Sequence, residues 1–141
     1  NAIGLRFGTV NGHSERLRNE LMVNSMAESS IKNGYLTMMN ADKYRPILFI
    51  DELVECVIKI LMSNISTGIF NITSINSKIK NIAEEVSKYL NSDIKYAPDQ
   101  PTYNFMMSTK KFEDIFNYKF TGNIIKIIDS FNYNRSGNSN S

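Results

Sequence analysis

Between Gly68 and Leu90 the chain changes its apolar period in one step, and that change limits the folds open to it. "GIFNITS", from Gly68 to Ser74, is a continuous apolar run, whereas Ile79, Ile82, Ala83, Val86 and Leu90 recur at helical spacing. A continuous run suits a strand covered on both faces, as in parallel sheets, and parallel strands need helical crossovers between them. The same alternation recurs along the chain. "AIGLRFGTV" alternates small and apolar residues before Asn11-Gly12 and reads as a strand leaving through a turn. Leu21, Met22, Met26 and Ser29 predict an amphipathic helix over 18–32, stopped by Asn33-Gly34. "YLTMM" and "ILFI" read as two strands separated by the polar turn Asn40 to Lys43. Leu53, Val54, Val57, Ile58 and Leu61 predict a helix with one buried face, with Asp51 or Glu52 at its positive end. "DIKYA" reads as a strand, Ser108 caps a helix running through Phe116, and Ile124, Ile127, Ile128 and Phe131 mark a last short helix. The class is α/β. A single unit over 1–132 is expected, followed by a disordered polar tail at 133–141.

Composition excludes several function classes. At 42% hydrophobic and 21% charged residues, 141 residues suit one soluble globular domain. A net charge of +2 is too mild for the clustered basic face that binds nucleic acid, so none is expected as a partner. No apolar run approaches the ~18 residues that cross a bilayer, and the opening residues lack the regions of a signal peptide. The expectation is a cytoplasmic protein with no membrane partner. Cys56, the one cysteine, lies among Val54, Val57 and Ile58 and reads as a buried thiol in a reducing compartment. With one histidine, His13, beside it, no metal is expected, because tetrahedral zinc needs several such ligands.

Motifs for catalysis are also missing. Gly4, Gly8 and Gly12 are spaced G-x3-G-x3-G, which is not the dinucleotide fingerprint and reads as turn and close-packing geometry. There is no G-x-S-x-G, no Walker loop, and no tyrosine followed four residues later by lysine. No catalytic residue is assigned. One residue stands out: in "KYRPILFID" Arg45 precedes the apolar run. It is either a surface charge with its stem along the core or a donor fork for an anion.

Five stretches, taken in order, resemble the carboxy-terminal half of the extended short-chain dehydrogenase/reductase family, the NAD-dependent nucleotide-sugar epimerases and dehydratases. "LRFGTVNG" resembles the family's strand ending in arginine, aromatic and a glycine turn, and "NELMVNSMAES" its helix closing over the nucleotide. "RPILFIDEL" resembles the strand with a phosphate-contacting arginine, "GIFNITS" the late sheet strand, and "DQPTYNFMMSTKKFEDIFNYKF" the acid-x-x-x-Tyr segment with its following helix.

The resemblance implies a Rossmann-type fold represented only by its substrate-binding, carboxy-terminal portion, with the dinucleotide-binding half having no counterpart in these residues. It implies that Arg45 reaches the diphosphate of a UDP- or dTDP-sugar and that Leu21 contacts the nucleoside. Thr9 stands where many members have a phosphate-binding asparagine, Asp99 and Tyr103 orient sugar or ribose hydroxyls, and Phe7 approaches the nicotinamide. For Leu21, Asp99, Tyr103 and Phe7, plain packing or loop exposure is the competing reading. The sequence departs from the family in having Pro101 and Lys95 around a position that carries a second arginine, and Phe49 where histidine is common. The complete enzyme implied would use NAD or NADP for hydride transfer; family members often form homodimers through helices outside this portion, and the oligomeric state stays open. Whether this chain is part of such an enzyme stays open. The alternative is a non-catalytic binding or interaction protein that keeps half of the fold, with an open edge at the Leu5 to Val10 strand.

Overall fold

The computed structural model describes residues 1–16 and 18–133. Its strands and helices alternate as β1 (Ile3–Phe7), β2 (Thr9–Asn11), α1 (Met22–Asn33), β3 (Tyr35–Met38), β4 (Tyr44–Phe49), α2 (Ile50–Leu61), β5 (Gly68–Ile72), β6 (Ile75–Lys78), α3 (Ile79–Leu90), β7 (Asp93–Tyr96), α4 (Lys110–Phe116) and α5 (Ile124–Tyr133). The expected tail, 133–141, overlaps the last residue of α5, and its residues 134–141 lie outside those described.

Three small sheets result. β1 pairs with β5 and β3 with β7, both in parallel, while β4 lies between a parallel β2 and an antiparallel β6. The single strand expected over the opening residues is two, because the chain changes partner at Gly8, whose N–H donates to the Ile72 carbonyl at 2.9 Å. "GIFNITS" likewise ends early, at Ile72. Ser74 donates its N–H to the Ile47 carbonyl at 2.9 Å, and the chain turns back as β6, a strand the apolar pattern did not announce.

Two cores hold the layers. Helices α1, α3 and α5 pack over β3 with Ile47 and Phe49, burying Val23, Leu36, Ile82, Val86 and Ile128 completely. The stripes predicted on α3 and α5 face this core. On α1 the buried residues are Val23, Asn24, Met26, Ala27 and Ser30, so the face is turned from the predicted one, and the helix starts only at Met22. Gly34 ends it with φ 73°, the left-handed cap expected there.

The second core joins Leu48, Cys56, Phe70, Ile72 and Phe112, with Phe116 stacked on Phe112 at 4.5 Å between centroids. Helix α4 starts after Thr109, one residue later than the Ser108 cap, and Thr109 Oγ1 donates to Glu113 at 3.1 Å.

Helix α2 reverses its prediction. It buries Glu52 and Cys56, whereas Val54, Val57, Ile58 and Leu61 stand exposed, Leu61 at 77%. The apolar arc of the helix is wider than the side that finds a neighbour among the described residues. The β1–β5 pair is also open on one face, where Ile69 is exposed, so the double cover expected of that strand is half present.

Buried Glu52 closes the fold. Its Oε1 accepts the N–H of Thr121 at 2.5 Å and of Gly122 at 2.8 Å, and its Oε2 accepts from the Ser74 hydroxyl. Among the described residues no helix is long and apolar enough to cross a membrane.

Candidate functional site

The residues singled out in the sequence fall into two groups. Arg45, Asp99 and Tyr103 meet along an extended strap, residues 97–109, that has no regular secondary structure. The strap is held by side chains rather than by a ladder. Asn40 N–H donates to Asp99 Oδ1 at 2.6 Å, and Asn40 Oδ1 accepts from Gln100 N–H at 3.1 Å. Asn40 has the left-handed φ of 57° that asparagine tolerates, which aims both groups at the strap. Tyr44 N–H donates to Asn104 Oδ1 at 2.7 Å. The Asn76 amide donates to the Met107 carbonyl at 2.9 Å and accepts its N–H at 2.8 Å, and Asn71 donates to the Ser108 carbonyl at 3.2 Å.

Arg45 is the centre of this group. Nη1 donates to the carbonyls of Tyr44, at 2.8 Å, and of Tyr103, while Nη2 donates to Thr102 Oγ1 at 2.5 Å. The guanidinium is thus a fork spanning β4 and the strap, neither lying idle on the surface nor open on every side. Asp99 commits one carboxylate oxygen to Asn40, and Tyr103 is 84% exposed. Lys95 lies 3.2 Å over the Tyr35 ring, a cation–π contact that keeps it off the strap.

Thr9 and Leu21 form the second group. They line a cavity of about 390 Å³ bounded by Asn11, Gly12, Asn24 and Ile50, with Arg16 and Arg18 also on its wall. Gly12 is needed there, since at φ 135° a Cβ would sit 2.6 Å from Ile50 Cγ2. The groups share one sheet: Thr9 is in register with Ile47 on β4, two residues beyond Arg45. Phe7 is 49% exposed at the end of β1, neither in the core nor on the cavity wall.

Sequence reasoning missed Asn11, Asn24 and Arg16. Asn11 was absorbed in a turn signal; Asn24 was legible as a polar residue on an apolar helix, where asparagine is unfavourable without a partner.

Neither the cysteine nor the glycine series offers chemistry. Burial, with Glu52 and Glu55 adding to it, pushes the Cys56 thiol up to about 12, so it is a packed side chain and no nucleophile. Burial and a hydrogen bond to Glu55 at 2.6 Å raise Tyr118 as well. After β1, Gly8 leads into β2 rather than into a helix, so the glycines do not form the strand–turn–helix loop that cradles a pyrophosphate. These residues do not fit a dinucleotide.

No family model matches the sequence, and no curated protein does. Solved structures match closely in shape. The dTDP-glucose 4,6-dehydratase of Bacillus anthracis str. Ames, in complex with NAD, superposes with a TM-score of 0.78 at 14% identity, over 95% of this chain and 45% of that one. The chain has the fold of a little under half of that structure, a part of the extended short-chain dehydrogenase/reductase fold. Two further members of this fold agree. The Bacillus cereus UDP-glucuronic acid 4-epimerase, in complex with UDP-glucuronic acid and NAD, gives a TM-score of 0.76 at 17% identity, over 94% of this chain and 44% of that one. The Thermus thermophilus UDP-glucose 4-epimerase, in complex with NAD, gives 0.74 at 18%, over 92% of this chain and 46% of that one. The chain therefore spans a little under half the length of the extended short-chain dehydrogenase structures it matches.

Proposed function

We propose that this chain is the carboxy-terminal, substrate-holding portion of a cytoplasmic NAD(P)-dependent nucleotide-sugar epimerase or dehydratase. It would bind a UDP- or dTDP-linked sugar and orient it for hydride transfer. The observation that carries the reading is the Arg45 guanidinium, which bridges β4 and the strap two residues from the strand position opposite Thr9. A planar fork of this kind pairs with phosphate oxygens in two parallel hydrogen bonds. A diphosphate would take over donors now engaged by Thr102 and Tyr103 and leave the strap lying over the ligand. Leu21 would flank the nucleoside, and Asp99 and Tyr103 would stand near the sugar and ribose hydroxyls. Nicotinamide chemistry would come from a partner half of the fold, and this chain's own residues would supply position and exclusion of water.

The test is calorimetric titration of the protein with UDP and dTDP, alone and sugar-linked. Arg45→Ala is expected to weaken binding about 10- to 100-fold, the loss of a charge-assisted hydrogen bond to phosphate. No binding of any of these ligands, or equal binding by the variant, would refute the assignment.

A second reading is favoured by the exposed apolar side of α2, with Val54, Ile58, Leu61 and Met62 together. Under it the chain is a non-catalytic interaction protein that keeps half of the fold, and a protein partner, not a nucleotide, raises its melting temperature.

A further inference from the structure

Arg45 is half-buried and carries a charge that no carboxylate answers, since it forms no ion pair among the described residues. Asp99, the one acid of the strap, spends its Oδ1 on the Asn40 N–H instead. Every oxygen bonded to the guanidinium is neutral: the Tyr44 and Tyr103 carbonyls on Nη1 and the Thr102 hydroxyl on Nη2. Two of these come from adjacent strap residues and sit on two different nitrogens, the pattern in which two oxygens of one phosphate pair with such a fork. Hydrogen bonds to a charged acceptor are roughly twice as strong as those to a neutral one, so the exchange favours the phosphate.

The fastenings on either side decide how much of the strap must move. Asp99 and Gln100 are held by Asn40, and Asn104 is held by the Tyr44 N–H at 2.7 Å. Between these fixed points lie only Pro101, Thr102 and Tyr103. All three are exposed, and a cavity of about 380 Å³ runs along them, so they have room to shift. Among the described residues their hydrogen bonds to the body all go to Arg45.

We propose that residues 101–103 are a self-inhibiting gate: in the ligand-free chain Thr102 and Tyr103 occupy the donors of Arg45, and a diphosphate binds by displacing these two neutral oxygens while Asn40 and Tyr44 keep the rest of the strap in place. The inference rests on the proposed function in taking Arg45 as the diphosphate donor. It adds that Thr102 sets the affinity. Its hydroxyl competes with the ligand, so removing it strengthens binding, the opposite sign from the loss of a ligand contact. The Tyr103 carbonyl is a main-chain atom that no substitution removes, which leaves Thr102 as the residue through which the gate is tuned.

The experiment titrates the protein and its Thr102→Val variant with UDP and with inorganic pyrophosphate, by calorimetry and by NMR. Thr102→Val keeps the shape of the side chain without its hydroxyl and is expected to bind the probes about fivefold more tightly, the release of one neutral competing hydrogen bond. Thr102→Ser, which keeps the hydroxyl, is expected to return to the original affinity, and Arg45→Ala added to Thr102→Val to cancel the gain. On binding, the Tyr103 amide signal is expected to move while the Met107 amide, held by Asn76, stays. UDP binding that depends on Arg45 but is unchanged or weaker in Thr102→Val, or that leaves the Tyr103 amide in place, overturns the gate and leaves the proposed function standing. Binding of pyrophosphate alone, tighter in Thr102→Val and dependent on Arg45, keeps the gate and overturns the nucleotide assignment. Failure of both probes with both proteins overturns the two together.

Discussion

Glu52 is one carboxylate serving three donors from two distant segments, and its neighbour Gly122 has no room to spare. A Cβ on Gly122 would lie 2.5 Å from Glu52 Oε2 and within 2.9 Å of the Ser74 side chain. Gly122→Ala is therefore expected to cost roughly 1–3 kcal/mol, the usual penalty of overpacking, read as a lower urea midpoint with an unchanged slope. Cys56 makes the pH prediction. Its folded value, about 12, stands above the ordinary 9.0, so burial favours the neutral thiol and its contribution is fully present below pH 9. As pH rises from there the unfolded chain ionises first, and stability falls until about 12. Native protein should resist iodoacetamide at about pH 9, where an ordinary thiol is half ionised; rapid alkylation before unfolding would count against it. At this scale the sequence was legible where a residue acts through its immediate surroundings, as Cys56 does. It was not legible for Glu52, read only as a helix-end acid, because its backbone partners lie 69 and 70 residues further on.

The elements were readable in proportion to how fully each one's apolar pattern is used inside the described residues. Helices α3 and α5 turn their stripes to the core, so period alone placed them. Helix α2 has an equally clear pattern, yet its more apolar side looks outward, since a hydrophobic period reports that a face wants cover and not where the cover is. Strand β6 was hidden because Ile75 to Lys78 has little apolar character and owes its pairing to β4. The strap could be placed only after β7, not given a path: its fastenings are single amides 31 to 60 residues away in sequence. That arrangement predicts local opening. Asn76→Ala should speed hydrogen exchange at the Met107 amide about tenfold or more while the α3 amides keep their protection, since the strap opens without the core. Equal loss of protection in both would mean that the strap is an integral part of the core.

At the scale of the whole molecule, the uncovered apolar surfaces among the described residues include the α2 side and the face of the β1–β5 pair bearing Ile69. Replacing Leu61 and Ile58 by lysine should change stability by less than about 0.5 kcal/mol each, as for solvated positions, and reduce self-association in sedimentation velocity runs. A loss of several kcal/mol would instead show that this side is buried in the protein in solution. The strap bears on the whole in a different way. At Gln100, Tyr103, Met107 and Ser108 the body grips main-chain atoms, through Asn40, Arg45, Asn76 and Asn71. Side chains at those four positions are then free to drift through evolution without moving the path they ride on, so descendants of one such chain can change what they select while inheriting how they hold it.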